Sequence, residues 1–308
     1  MTQQMDPKAN PEPSDKDSSA LRAALRGFWI EFSANKGALY GLVFIALMGF
    51  VAAFADLLSP YSPIQQYRDS LKLPPSWTEG GDWSFFFGTD ALGRDQLSRI
   101  IFGARYSFYI GSIVIFFCLT VGIFLGLIAA FNRGLIENAI MRTMDIILAF
   151  PSLLMALALV AILGPSLENA MIAIAIVYVP HFVRLTRAQA LAELGKDYVS
   201  SSKTMGASTF RLMFINVLPN CMAPLIVQAT MSFSAAILDA AALGFLGMGA
   251  QPPTPEWGTM LADSRRYILS DPWLMTIPGL FILLTVLSIN LVGDGLRDGL
   301  DPKLKSSK

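Results

Sequence analysis

The sequence predicts an all-α membrane protein with six transmembrane helices and both termini in the cytoplasm. Composition, the spacing of apolar runs and the distribution of basic residues all indicate it. Of the 308 residues, 54% are hydrophobic and 15% are charged, and the mean hydropathy is +0.52. Soluble domains usually carry about 25% charged residues, so this composition is typical of a chain embedded in a bilayer.

Six apolar runs approach the length of about 20 residues that a helix needs to cross a bilayer. The predicted spans are 38–58, 106–131, 143–163, 169–183, 223–248 and 273–292. The fourth run is short and contains Pro180, which makes it the least regular of the six. Pro151 and Pro278 are expected to kink the third and sixth spans.

Lys and Arg accumulate on the cytoplasmic side of membrane proteins, so their positions predict orientation. With the N-terminus in the cytoplasm, sixteen of the 23 basic residues fall inside and seven outside. The resulting segments are a cytoplasmic tail at 1–37, a first span at 38–58, an external loop at 59–105, a core transmembrane region at 106–292 and a cytoplasmic tail at 293–308. Within the core, a cytoplasmic loop covers 184–220 and an external loop covers 250–272. The polar first 20 residues are expected to be a tail and not a signal peptide.

Few residues are suited to catalysis or metal binding. His181 is the single histidine, and Cys118 and Cys221 are isolated within or beside apolar runs, where they are expected to be small core residues. We therefore expect no catalytic residues and no metal site. The net charge is zero and no basic block occurs, which argues against nucleic-acid binding.

The end of the first external loop carries charges and glycines, Gly88-Thr89-Asp90 followed by Gly93-Arg94-Asp95. This pattern predicts a turn that leads into a short helix on the membrane surface, capped by Thr89 or Asp90. In the second external loop, three prolines among residues 252–255 exclude a regular helix there.

Small residues cluster at the outer end of the fifth span, among them Gly244 and Gly247. Small residues let two helices approach closely. A gate and a tight helix crossing would give the same pattern, and the sequence leaves both open.

A polar segment separates the fourth and fifth spans. A chain that only crosses the membrane needs no structured loop between two spans, so this segment is a candidate for a function. It begins at Asp197-Tyr198-Val199, passes through Lys203-Thr204-Met205-Gly206-Ala207-Ser208, and ends at Leu218-Pro219-Asn220. Its glycine precedes the proline by thirteen positions.

With these segments in view, residues 39–305 resemble the dipeptide/oligopeptide family of ABC-importer permeases. The resemblance rests on four blocks in their expected order: Gly88-Thr89-Asp90 with Gly93-Arg94-Asp95; Asp197-Tyr198-Val199 with Gly206-Ala207-Ser208 and Leu218-Pro219-Asn220; Ala241 to Gly247 with Gln251-Pro252-Pro253 and Trp257-Gly258; and Gly293 to Asp298 with Leu300-Asp301-Pro302. Ser200, Ser201 and Ser202 depart from the family pattern, because Glu-Ala-Ala would stand there, and Asn216 replaces an Ile. Small serines keep the close packing that a docking helix needs.

The resemblance implies a type I ABC-importer permease fold and a non-catalytic subunit in a bacterial inner membrane. The implied cargo is dipeptides or short oligopeptides delivered by a periplasmic peptide-binding protein. The implied partners are a homologous permease forming a heterodimer and two ABC ATPase subunits, besides membrane lipid. No P-loop sequence G-x-x-x-x-G-K-[ST] occurs, so ATP and Mg are expected on the ATPase chains, with no cofactor on this one.

The resemblance also implies that the cytoplasmic loop docks onto an ATPase. Tyr198 and Met205 would be buried in its groove, Gly206 would allow a sharp turn, and Pro219 would start the fifth span. The residues implied in coupling are Asp197, Tyr198, Ser201, Ser202, Met205, Gly206, Ala207 and Pro219.

Polar residues inside spans are candidates for the translocation path, because charge is costly in lipid. Asp239 lies in the fifth span and Asn290 in the sixth. Asp239 could face the pore and pass the cargo's ammonium group, or it could bond a neighbouring helix; both interpretations stay open. Gly244 and Gly247 are the candidate gate residues. Candidate periplasmic contacts are Asp90, Arg94, Asp95 and Trp257.

Two groups of alternatives remain at this stage. Within the family, the cargo could instead be nickel chelates, glutathione or antimicrobial peptides, which nothing in the spans distinguishes. Outside it, a stand-alone secondary transporter would predict inverted repeats and more membrane-buried charge, and a membrane enzyme would need clustered nucleophiles or metal ligands.

Overall fold

The computed structural model describes residue 22 and residues 26–300. Residues 1–21, 23–25 and 301–308, which belong to the two predicted tails, lie outside the described residues. Residues 26–34 are helical. The helices that follow are α1 (Lys36–Ala53), α2 (Ala55–Leu58), α3 (Gln96–Phe131), α4 (Leu135–Leu148), α5 (Ser152–Leu163), α6 (Leu167–Leu194), α7 (Asp197–Thr204), α8 (Thr209–Arg211), a π-helical turn (Leu212–Val217), α9 (Leu218–Phe245), α10 (Trp257–Ser264), a 3₁₀ turn (Arg265–Tyr267) and α11 (Trp273–Leu300).

Among the described residues, five helical paths are long and apolar enough to cross a membrane. They are α1, α3, α6, the continuous path Thr209–Phe245 and α11. A sixth crossing exists only if α4 and α5 count together, and these two helices meet at a bend of 93°.

The kink predicted at Pro151 in the third span is confirmed, and it is a break between two separate helices, α4 and α5. Pro278, by contrast, lies inside the unbroken α11. Pro151 stands at the break, where its ring and missing N–H prevent the helix from continuing. At a rise of about 1.5 Å per residue, the 12 residues of α5 are about 18 Å long, less than a bilayer core of about 30 Å.

The short surface helix predicted near the end of the first external loop does not form separately. Instead, α3 runs unbroken for 36 residues from Gln96. Its N-cap is Asp95, whose side chain accepts a hydrogen bond from Ser98 N, and not Thr89 or Asp90. Asp90 is unavailable as a cap because its carboxylate already binds Arg94.

The fourth predicted span is much longer than expected. The helix α6 covers 28 residues and passes through Pro180 without a break. Membrane helices tolerate an internal proline because neighbouring helices and local adjustments satisfy the freed carbonyl group. The fifth and sixth spans also extend past their predicted cytoplasmic limits, by continuing into the π-helical turn and to Leu300.

The core is formed by α3, α6 and α9, of which α3 and α6 are the most extensively packed pair. Two glycines of α3 allow this closeness: a Cβ atom on Gly122 would lie 2.3 Å from Cβ of Phe182, and one on Gly126 would lie 2.5 Å from Cβ of Thr186. Cys118 and Cys221 are free and buried in this core, which confirms their prediction as apolar core residues.

Candidate coupling loop and translocation surface

The polar segment between α6 and α9 folds as two short helical pieces joined by a sharp turn. Gly206 occupies the turn with a φ of +86°, in the left-handed region that favours glycine. Ser208 then caps α8 by accepting a hydrogen bond from Arg211 N. Pro219 is the second residue of α9 and directly follows the π-helical turn, so the helical path begins ten residues earlier, at Thr209, and not at the proline as expected.

Tyr198 joins α7 to the two neighbouring spans. Its hydroxyl donates to Oε2 of Glu193 at 2.6 Å, and it accepts from Nδ2 of Asn220 at 3.1 Å. Glu193 also pairs with Lys196 at 2.6 Å. Partial burial and the adjacent carboxylate raise the pKa of Tyr198 to about 12, so the hydroxyl remains a donor at neutral pH. The sequence predicted this side chain as an ATPase contact, whereas its hydroxyl bonds within the chain.

Two large apolar side chains that follow α7 in the loop are exposed, one at the C-cap of α7 and one on α8. Met205 is 82% exposed and Phe210 is 68% exposed. Asp197 and Ser201 are exposed on the same loop, while Ser202 and Ala207 are half-buried against the bundle. Val199 anchors α7 in the core. Phe210 was missed in the sequence, although an aromatic residue in a polar loop is a usable signal for a contact.

The polar residues inside the spans bond to neighbouring helices. Tyr178 Oη on α6 donates to Oδ2 of Asp239 on α9 at 3.0 Å. Ser234 Oγ, also on α9, donates to Oδ1 of Asn290 on α11 at 2.5 Å. Asp239 and Asn290 are both only partly buried. Part of each side chain therefore remains accessible although it bonds to a neighbouring helix.

The two candidate gate glycines differ. A Cβ atom on Gly244 would lie 2.5 Å from Oε2 of Glu256, so this residue forms a tight crossing between α9 and α10. Gly247 has a φ of +78° and no neighbour that a Cβ atom would meet within 4 Å. It therefore ends α9 with a turn.

Most of the predicted periplasmic contacts form the interior of the external cap. Arg94, Asp95 and Trp257 are 3%, 1% and 0% exposed. Arg94 Nε lies 2.5 Å from Oδ2 of Asp90, and Trp257 Nε1 donates to the carbonyl of Ile100 at 3.2 Å. Burial raises the pKa of the Asp95 carboxyl group. Exposed side chains beside this cluster, Asp263 and Arg266 among them, form the outer surface.

Glu256 is a structural residue that the sequence did not single out. Its buried carboxylate caps α10, accepting from Gly258 N at 2.7 Å and Thr259 N at 2.8 Å. Burial raises the pKa of this carboxyl group. The sequence offered only a glutamate directly after the proline run, too common a pattern to identify a buried cap.

Within residues 26–300, no group of three or more His, Cys, Asp or Glu side chains could hold a metal ion. The arrangement provides instead a bundle of apolar helices, with the exposed helix α7 at one end and the ordered cluster around Arg94 and Trp257 at the other. A bundle of this kind is typical of an integral membrane protein.

Comparison with known proteins identifies the family. Residues 122–306 match the family described as binding-protein-dependent transport system inner membrane component, and residues 24–75 match the N-terminal transmembrane domain of oligopeptide transport permease C. The chain belongs to this family of inner-membrane permeases and is a permease component, not an enzyme.

Two relatives extend over nearly the whole chain. A di/tripeptide transport system permease protein of Pseudomonas aeruginosa is 60% identical, covering 96% of this chain and 97% of its own length. A dipeptide transport system permease protein of Escherichia coli is 58% identical, covering 91% of this chain and 94% of its own.

A solved structure supports the fold. A chain of the MetNI methionine ABC transporter superposes with a TM-score of 0.54 at 18% identity, covering 66% of this chain and 96% of that chain. The chain therefore has the ABC-importer permease fold that the sequence predicted.

Proposed function

We propose that this chain is one of two membrane-spanning subunits of an ATP-driven importer that carries dipeptides and short oligopeptides into the cytoplasm. The observation that carries the proposal is 60% identity, over almost the full length, to a di/tripeptide permease. The exposed side chains of Met205, at the C-cap of α7, and of Phe210, on α8, provide an apolar surface for an ATPase subunit. The same identity favours peptides over nickel chelates or glutathione as cargo.

The coupling proposal assigns different tasks to the residues of the loop. Met205 and Phe210 insert into a groove of the ATPase, since exposed apolar side chains are the usual anchors of an interface. Ser201 permits close approach, and Gly206 sets the angle between the two helical pieces. ATP and Mg bind to the ATPase chains. Nucleotide binding and hydrolysis therefore affect this chain only through movement of α7.

The proposed topology has six crossings and both termini in the cytoplasm, with α4 and α5 together forming the third crossing. The excess of basic residues on the cytoplasmic side supports it. This orientation puts α7 inside, where ATP is available, and the cap that contains Arg94 and Trp257 outside, where a peptide-binding protein would dock. A reporter protein that is active only in the cytoplasm should therefore be active when it is fused after Leu300.

Purification of the chain from membranes in mild detergent tests the assembly. We expect a second permease and ATPase subunits to copurify, and the complex in proteoliposomes to take up labelled dipeptide when ATP and the binding protein are present. Recovery of the chain alone would contradict the proposal. Preferential uptake of glutathione or of a nickel chelate would retain the importer and change its cargo.

A further inference from the structure

The helix α6 is central in the bundle, yet it carries ionisable side chains on the narrow strip that it leaves uncovered. Of its most apolar stretch, 61% is buried, the largest share among the candidate spans. The uncovered part of its cytoplasmic half is polar, with Tyr178 partly buried and His181 and Arg184 exposed. We call these three residues, together with Asp239 beside them, the polar strip.

Members of the polar strip come from two helices, and a third helix contributes an ion-pair partner. The rings of Tyr178 and His181 lie 6.0 Å apart, and Tyr178 bonds to Asp239 of α9. Arg184 pairs with Asp145 of α4, and the two side chains remain 46% and 44% exposed. Charge therefore continues along the strip from the middle of α6 toward its cytoplasmic end.

The polar strip is not suited to contact with lipid. Arginine, aspartate and histidine inside membrane spans face the bundle interior or a water-filled cavity, because hydrocarbon does not solvate them. The outer helices behave differently, since α11 exposes the apolar ridge Leu280, Leu283 and Leu287. Two surfaces of opposite chemistry thus exist on one chain, one suited to lipid and one to water.

The spacing of the charges suits a short peptide. Tyr178 and Arg184 are separated by a rise of about 9 Å along α6. The backbone of an extended dipeptide spans about 7 Å, with an ammonium group at one end and a carboxylate at the other. Asp239 supplies a negative group near the first position, and His181 and Arg184 supply hydrogen-bond donors toward the second.

We propose that the polar strip is part of the translocation path and contacts both ends of the passing peptide, the ammonium group at Asp239 and the carboxylate at His181 and Arg184. This inference rests on the proposed function. It adds a binding surface that is independent of the binding protein, and it explains why Asp239 is only half-covered by its bond to Tyr178.

Accessibility of a thiol at the strip tests the inference in the complete transporter. His181→Cys and Leu283→Cys are compared in proteoliposomes, with a charged, membrane-impermeant thiol reagent, with and without ATP. Native Cys118 and Cys221 are buried, so the unsubstituted chain gives the background. We expect His181→Cys to react in at least one nucleotide state and Leu283→Cys in neither, and dipeptide to slow the reaction about tenfold, the factor for a loss of about 1.4 kcal/mol.

Uptake by variants at Asp239 separates cargo contact from helix bonding. With saturating peptide-loaded binding protein, Asp239→Asn should take up dipeptide about tenfold more slowly and Asp239→Glu should recover most of the rate. Tyr178→Phe removes the helix bond but keeps the carboxylate, so its loss should be clearly smaller. Equal losses in Asp239→Asn and Tyr178→Phe would make Asp239 a structural residue and overturn its cargo contact.

Failure of the strip and failure of the proposed function give different results. If the unsubstituted transporter imports dipeptide but His181→Cys does not react in either state, or reacts without protection by dipeptide, the strip inference is overturned and the importer stands. If the unsubstituted transporter imports no peptide, the proposed function fails, and the strip's assignment to peptide ends fails with it.

Discussion

The hydroxyl of Tyr198 on α7 donates a hydrogen bond to Oε2 of Glu193 at the end of α6, with a length of 2.6 Å. Asn220 of α9 donates to the same hydroxyl. One side chain of α7 thereby bonds to residues of two membrane helices. If α7 contacts an ATPase as proposed, these hydrogen bonds connect its movement to both helices.

Replacing Tyr198 by Phe should uncouple transport from ATP hydrolysis while leaving the complex assembled. The ring remains, but the hydroxyl contacts with Glu193 and Asn220 are lost, at a cost of about 1 kcal/mol for a partly exposed group. The measurement is the ratio of peptide imported to ATP hydrolysed. Thr204→Ala is the matched control, because the Thr204 hydroxyl bonds only to Ser200 O of its own helix. An unchanged ratio in Tyr198→Phe would contradict the linkage.

Replacing Gly206 by Val should weaken association with the ATPase. No atom lies within 4 Å of a Cβ placed there, so the effect comes from backbone strain alone, about 1–2 kcal/mol for a side chain at positive φ. Asn tolerates this region better, so Gly206→Asn should retain most of the ATPase in copurification. Equal retention by Val and Asn would show that the turn is not needed for docking.

Replacing Gly103 by Ala should destabilise the external cap. The new methyl group would meet Trp257 Nε1 at 2.3 Å, and overpacking of this kind costs about 1–3 kcal/mol. Thermal unfolding of the purified transporter measures the effect. Gly49→Ala in α1 is the control, since a Cβ atom there meets nothing within 4 Å. A Gly103→Ala protein as stable as this control would refute the close packing at Trp257.

The buried cap residue Glu256 should make stability depend on pH. Burial raises the pKa of its carboxyl group in the folded protein above the ordinary value of 4.5, so folding favours the protonated form. The stability this provides is complete below the ordinary pKa and is lost as pH rises through the raised pKa.

Glu256→Gln removes this titration and keeps one acceptor oxygen, for Gly258 N or for Thr259 N but not for both, so its lower stability should not vary with pH through this residue. Between pH 4.5 and neutral pH, the melting temperature of the unsubstituted transporter should therefore fall relative to that of Glu256→Gln. Asp95, whose pKa is also raised by burial, titrates in both proteins and cancels from the difference. Parallel pH profiles would contradict an effect of Glu256.

Much of the architecture was predictable, because apolar run length and basic-residue bias are local properties of a membrane chain. The four sequence blocks predicted the family, which the comparisons confirm. A kink at Pro151 was predicted, but neither its size nor the unbroken passage of α6 through Pro180 was. Both are prolines in apolar runs, and only the surrounding helices decide whether the freed carbonyl group is satisfied.

Site residues were predictable by position but not by environment. Gly206 at a turn followed from its place in a motif, whereas the burial of Arg94 and Asp95 did not. Spacing within the loop cannot reveal that Arg94 pairs with Asp90 or that Asp95 accepts from Ser98 N and Ser98 Oγ inside the cap. Tyr198 shows the same limit, since its partner Glu193 lies outside the motif that singled it out.

The sequence by itself determined the membrane location, the polar loop between the fourth and fifth spans and the membership in a permease family. These depend on composition, periodicity and residue order, which need no knowledge of distant contacts. Only the tertiary structure decided that Gly244 is a tight crossing against Glu256, that Asp239 meets Tyr178, and that Tyr198 joins α7 to two spans. Each of these contacts joins different helices or loops, and packing the helices against one another is what brings their side chains together.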